Sequence, residues 1–178
     1  DLSGAGNITL GAGNLTFGTS NGMPQTFAGI ISGNGGIIKQ GTGVAILSGA
    51  NNYRGATQIN SGILRMGALN AIPNNSNLTI AEGATFDLND FDHTVADLNG
   101  AGNITLGTGH LIFGTNNPIP QTFSGVISGT ASVTKHGTGS AILLGANTYS
   151  GGTTVAAGVL QGNSLSLKGN ITNNATVV

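Results

Sequence analysis

The stretch DLSGAGNITLGAGNLTFGT (residues 1–19) returns as DLNGAGNITLGTGHLIFGT (97–115). The offset of 96 residues then holds without a gap. PQTFAGIISG (24–33) matches PQTFSGVISG (120–129), and GTGVAILSGANNYRGATQINSGIL (41–64) matches GTGSAILLGANTYSGGTTVAAGVL (137–160). Biased composition alone does not keep register over such a length, so the chain carries a duplicated structural unit. Beyond it the copies diverge: LNAIPNNSNLTIAEG follows the first, LSLKGNITNNATVV the second. Homologous repeats thus occupy about 1–64 and 97–160, with a spacer at 65–96, and residues 1–178 read as one continuous domain.

Within each copy Gly or Asn punctuates the chain every few residues, leaving short alternating runs such as NITLG, NLTFG, VAILSG, GILRMG and TFDLN. Ile8 with Leu10 and Leu15 with Phe17 show the period of two expected of strands, while Ile46 fits either parity. No segment carries apolar residues at helical spacing. Short strands with tight corners suit a sandwich, a barrel or a solenoid. Recurrence of the same residue type at the same corner favours the solenoid, since repeats stack. Gly and Asn tolerate the positive φ that sharp corners require, and uncharged polar side chains can form ladders along a stack. A coil of ~20–25 residues predicts roughly seven to nine coils and a rod about 35–45 Å long. Neither terminus resembles a capping repeat, which predicts a fragment of a longer array that associates end to end through its open edges.

Composition narrows the function. Charged residues make up 6% of the chain and the net charge is -1, with 32 glycines and no cysteine. Five scattered Lys and Arg do not form the basic clusters that bind phosphate backbones, so nucleic acid is not an expected partner. A hydrophobic content of 38% argues against disorder. No apolar run approaches the ~18–20 residues that cross a bilayer.

KQGTGVAILSGANNYRGATQINSGIL (39–64) and KHGTGSAILLGANTYSGGTTVAAGVL (135–160) resemble the passenger-associated β-strand repeat of bacterial autotransporters. The matching positions are Lys39, Gly41, Gly43, Leu47, Gly49, Asn51, Tyr53, Gly55, Thr57, Ile59, Gly62 and Leu64, and their equivalents from Lys135 to Leu160. Val44 and Ser140, each followed by alanine, depart from a pattern that usually has leucine there. The resemblance implies a right-handed single-stranded parallel β-helix on, or released from, a Gram-negative surface. It also implies a C-terminal outer-membrane barrel on the same parent chain. Such repeats are thought to act as scaffold and to assist secretion by folding outside the cell.

Candidate chemistry is sparse. Glu82, Asp87, Asp90, Asp92 and Asp97 cluster with His93, which raises a Ca²⁺ site. The spacing lacks the EF-hand glycine and distant Glu, so a solvated strand–turn edge is the expected reading, with Asp87 and Asn89 facing one way and Asp90 and Asp92 the other. Gly18-Thr19-Ser20-Asn21-Gly22 spells a nucleophile-elbow string, but no helix follows and the second copy lacks the serine. His110 replaces Asn14 and His136 replaces Gln40, and the histidines read as tolerated polar positions. Lys39 and Lys135 recur and read as structural. Arg54 and Arg65 align with Ser150 and Gln161, so no cation is repeated for lyase chemistry. The threonines form no Thr-x-Thr pair of the ice-binding kind, and the Asn-x-Thr sequons at Asn7, Asn14, Asn77, Asn103, Asn170 and Asn174 follow from Asn-rich corners. Phe17/Phe113, Phe27/Phe123 and Tyr53/Tyr149 read as packing residues. The expectation is a stalk without catalytic, cofactor or metal residues, and the alternative is an adhesin surface contacting host cells or neighbouring bacteria through an unnamed receptor.

Overall fold

The computed structural model describes residues 1–18 and 22–178. The described residues form short strands joined by turns, with no helix among them. Every pairing is parallel and joins strands from successive coils. The chain passes repeatedly over three faces of a β-solenoid. Face I is a continuous nine-stranded sheet running from Leu15–Phe17 to Thr176–Val177. Nine strands stacked on one face make about eight turns, so at ~4.8 Å per coil the rod is about 38 Å long.

Face II follows face I along the chain. It is six-stranded: Gln25–Phe27, Val44–Leu47, Ile63–Met66, Thr85–Asp87, Asn103–Thr105 and Ile127–Ser128. Face III closes each turn in two sections. Ile8–Leu10 pairs with Ile31–Gly33 at one end; His93–Val95, Leu111–Phe113, Val133–Lys135, Thr153–Val155 and Ile171–Asn173 stack at the other. Between these sections residues 51–54 still bond to the coil before them, Asn52 N–H to Ile31 and Arg54 N–H to Gly33 carbonyls. Residues 67–77 then replace the strand by an irregular turn. Neighbouring strands on face I lie 17 to 23 residues apart, as in Val159 with Thr176 and Gly100 with Phe123.

Alternation decides what points inward. Leu78-Thr79-Ile80 buries its outer residues and exposes its threonine. In Val44–Leu47 it is Ala45 and Leu47 that are buried, which turns Ile46 outward and fixes the parity that the sequence left open. The core is therefore a column of Phe, Ile, Leu and Val from every coil, including Phe17, Phe27, Phe113 and Phe123. Burial on this scale supplies most of the stability at ~25 cal/mol per Å² of apolar surface.

Two uses of glycine shape the coils. Gly41 and Gly137 have φ of 69° and 71°, a left-handed corner that side chains with a Cβ resist. Gly6, Gly29 and Gly49 stack directly, as do Gly102, Gly125 and Gly145. A Cβ on Gly29 or Gly49 would overlap the carbonyl oxygen of the glycine one coil earlier, and the same holds for Gly125 and Gly145.

Candidate functional site

The repeated motif builds a corner that clamps one coil to the next. Asn51 is buried where face II passes to face III. Its Oδ1 accepts from the Ile31 N–H of the preceding coil at 2.7 Å, and its Nδ2 donates to the Ala71 carbonyl of the following coil at 2.7 Å. Asn147 repeats this with Ile127 N–H at 2.7 Å and the Ser166 carbonyl at 2.6 Å. One amide thus joins three coils.

Two residues on, Tyr53 is buried with its hydroxyl 2.6 Å from Thr57 Oγ1, and Thr57 Oγ1 lies 2.8 Å from Ser76 Oγ, which donates to the Gly55 carbonyl. Burial pushes the Tyr53 phenol up, so it stays neutral. In the second copy Tyr149 keeps its 2.6 Å bond to Thr153 Oγ1, and Thr153 donates to the Lys168 carbonyl at 3.0 Å. A backbone carbonyl thus takes the place of the Ser76 hydroxyl. The spacer has no second copy to flag Ser76 from sequence.

Lys39 and Lys135 are 0% and 1% exposed. Lys39 Nζ donates to the carbonyls of Gln40 and Gly41 at 2.8 Å and of Ser61, one coil on, at 3.0 Å. Lys135 Nζ donates to those of His136 at 2.7 Å, Gly137 at 2.8 Å and Ala157 at 3.4 Å. The left-handed corner turns carbonyls inward, and the ammonium gathers them. Burial lowers the pKa of both lysines; the negative charge of Asp97 opposes that shift at Lys135. This is a structural role, in agreement with the sequence reading.

The acidic cluster is dispersed over several corners. Asp87 pairs with Arg65 of the preceding coil at 2.7 Å. Asp90 accepts from Thr108 N–H and Asp92 from His110 N–H, each at 2.8 Å. Asp97, buried, accepts from Thr115 Oγ1 at 2.5 Å and Asn117 Nδ2 at 2.9 Å. Three of the acids therefore cap the following coil; Asp90 and Asp92 do so from an exposed edge, and the buried Asp97 departs from the solvated reading. The expected strand alternation through Asp92 also fails. Asn89 and Asp90 have φ of 50° and 68°, so they form a left-handed corner. Glu82 is exposed, and no three His, Asp or Glu side chains among the described residues are grouped to hold a metal ion.

Histidine roles differ. His110 Nδ1 lies 2.6 Å from Ser132 Oγ and accepts from Ser132 N–H at 3.3 Å, much as Asn14 Oδ1 accepts from Gly36 N–H at 2.8 Å. His93 is not a tolerated surface position: it is 3% exposed, edge-on to Phe86 at 5.8 Å, with Nε2 unpartnered. Burial lowers its pKa to about 4. The nucleophile-elbow string includes Thr19, Ser20 and Asn21, which lie outside the described residues. Two cavities of about 10 Å³ occupy equivalent places, one beside Lys39 and one beside Lys135 and Asp97. That is about the least space that admits one water.

Residues 37–66 and 133–161 match the passenger-associated-transport-repeat family. The chain is 38% identical over 152 residues to the Adhesin BmaC autotransporter of Brucella suis biovar 1 (strain 1330), an alignment covering 82% of this chain. It spans 4% of that relative's length. No solved structure matches it. The clamped corners at Asn51 and Asn147 fall inside the two matched segments, and the chain is a passenger-associated-transport-repeat region of an autotransporter passenger.

Proposed function

We propose that this rod is a stalk segment that extends the passenger from a Gram-negative surface and helps to draw it out by folding coil upon coil. An outer-membrane barrel toward the C-terminus of the parent chain would carry it there. The observation that supports this reading is the clamp at Asn51 and Asn147. Each completed coil offers a carbonyl or N–H that the next must satisfy, so a finished coil templates its successor. Absence of cysteine suits threading through a pore. No catalysis is proposed, because Asp87, Asp90, Asp92 and Asp97 are each engaged in holding neighbouring coils.

The test is display of the full parent chain on cells, with Asn51→Ala and Asn147→Ala introduced together. Passenger accessible to external protease should fall several-fold while barrel in the outer membrane is unchanged. Unaltered display would refute the role. A second reading, adhesion, is favoured by the name of the Brucella relative and by exposed apolar side chains, of which Met23 and Ile119 recur at equivalent places and Leu69 and Leu165 stand at the matching turn of each copy, one position out of step. Binding of the purified chain to host cells, lost in Ile119→Ser with Leu165→Ser, would place adhesion in this segment.

A further inference from the structure

Equivalent strands of the two repeats lie on different faces. Leu15–Phe17 and Ile37–Lys39 belong to face I, but Leu111–Phe113 and Val133–Lys135, 96 residues later, belong to face III. Val44–Leu47 and Ile63–Met66 of face II return as Ser140–Leu143 and Val159–Gln161 on face I. Ile8–Leu10 and Ile31–Gly33 of face III return as Asn103–Thr105 and Ile127–Ser128 on face II. The shift has the same sense at every pair. From Ile8 the chain completes four turns and two further faces before it reaches Asn103–Thr105.

We infer that the outward surface of this repeat turns by one face, a third of a turn, with each copy. An array of such units presents any recurring surface feature in three directions and returns it to the same side after three copies. That is fourteen turns, or about 67 Å at ~4.8 Å per coil. A flat partner lying along the rod meets a given feature once in three copies. Met23, 69% exposed, and Ile119, 67% exposed, illustrate this. Met23 stands at the corner between faces I and II, Ile119 at the corner between faces III and I.

The corners tolerate the rotation because each is built by the same local device. Asn7 Oδ1 accepts from Ile30 N–H and Asn103 Oδ1 from Val126 N–H, one face apart. Asn51 and Asn147 make bonds of equal length to Ile31 and Ile127 on different faces. Three-residue strands with two inward side chains, such as Ile37–Lys39 and Val133–Lys135, serve either face.

The test uses the cysteine-free chain with pairs of nitroxide labels and dipolar distance measurement. Thr16, Thr26 and Thr122 are all exposed strand centres. Thr26 and Thr122 are sequence equivalents, whereas Thr16 and Thr122 share face I five coils apart. The Thr16→Cys/Thr122→Cys pair should read about 24 Å between backbone sites, and less than the Thr26→Cys/Thr122→Cys pair. If the equivalent pair is as close or closer, the repeats are in phase and the inference falls.

Discussion

Replacing His93 by leucine should make the rod less sensitive to acid. His93 is buried beside Phe86 with an unpartnered Nε2, and its in-register neighbour on face III is Leu111, so leucine suits the site. Its pKa falls from 6.5 to about 4 in the folded chain through burial. The unfolded state therefore binds the extra proton between those values, and stability rises with pH across that window. At ~1.4 kcal/mol per pK unit the full difference is about 3 kcal/mol below pH 4, of which about 2 kcal/mol is already lost at pH 5 relative to pH 7.5. The contribution is intact above pH 6.5 and declines as pH falls toward 4. Urea unfolding followed by circular dichroism, on wild type and His93→Leu at pH 7.5 and pH 5, isolates it from carboxylates common to both. The mutant should lose about 2 kcal/mol less between the two pH values. Equal losses in the two proteins would refute the claim that a neutral, desolvated imidazole sits in the core.

Asn147→Ala leaves the Ile127 N–H and Ser166 carbonyl unpaired in a buried corner and should cost about 2–4 kcal/mol in the same unfolding assay. Gly145→Ala, whose Cβ would strike the Gly125 carbonyl, should cost about 1–3 kcal/mol, while Gly13→Ala, with open space around it, should change stability by less than about 0.5 kcal/mol. Arg65→Ala should cost under about 1 kcal/mol, because Arg65 is 36% exposed and its pair with Asp87 is screened, and the loss should shrink further in high salt. Light scattering of residues 1–178 prepared by themselves should show end-to-end growth at rising concentration, because both terminal coils of that segment then carry unpaired strand edges; a monomer at every concentration counts against it.

The motif residues made the fold legible. A lysine, an asparagine and a tyrosine repeated at fixed spacing with left-handed glycines announce corners that recur, and Lys39, Asn51 and Tyr53 do form them. What the sequence hides is which face each strand joins. Alternation separates inside from outside but carries no label for one of three outer faces. Because coils vary between 17 and 23 residues on face I, the 96-residue offset cannot be divided into turns by inspection. The spacer was opaque for a different reason. Ser76, His93 and Asp90 have no second copy here, so a buried imidazole and a left-handed aspartate look like ordinary polar residues until their neighbours in adjacent coils are known.

The interchangeability of the faces bears on how such a chain changes length. Repeated units invite unequal recombination, which adds or removes whole copies. In an ordinary domain the new junction would meet a mismatched partner. Here the coil before Asp97 accepts the start of a second unit one face round, with Leu98 stacking on Leu78 and Gly100 on Ile80 as though the ladder had never been cut. Loss or gain of a unit would leave every remaining strand paired and simply rename the side on which it is displayed.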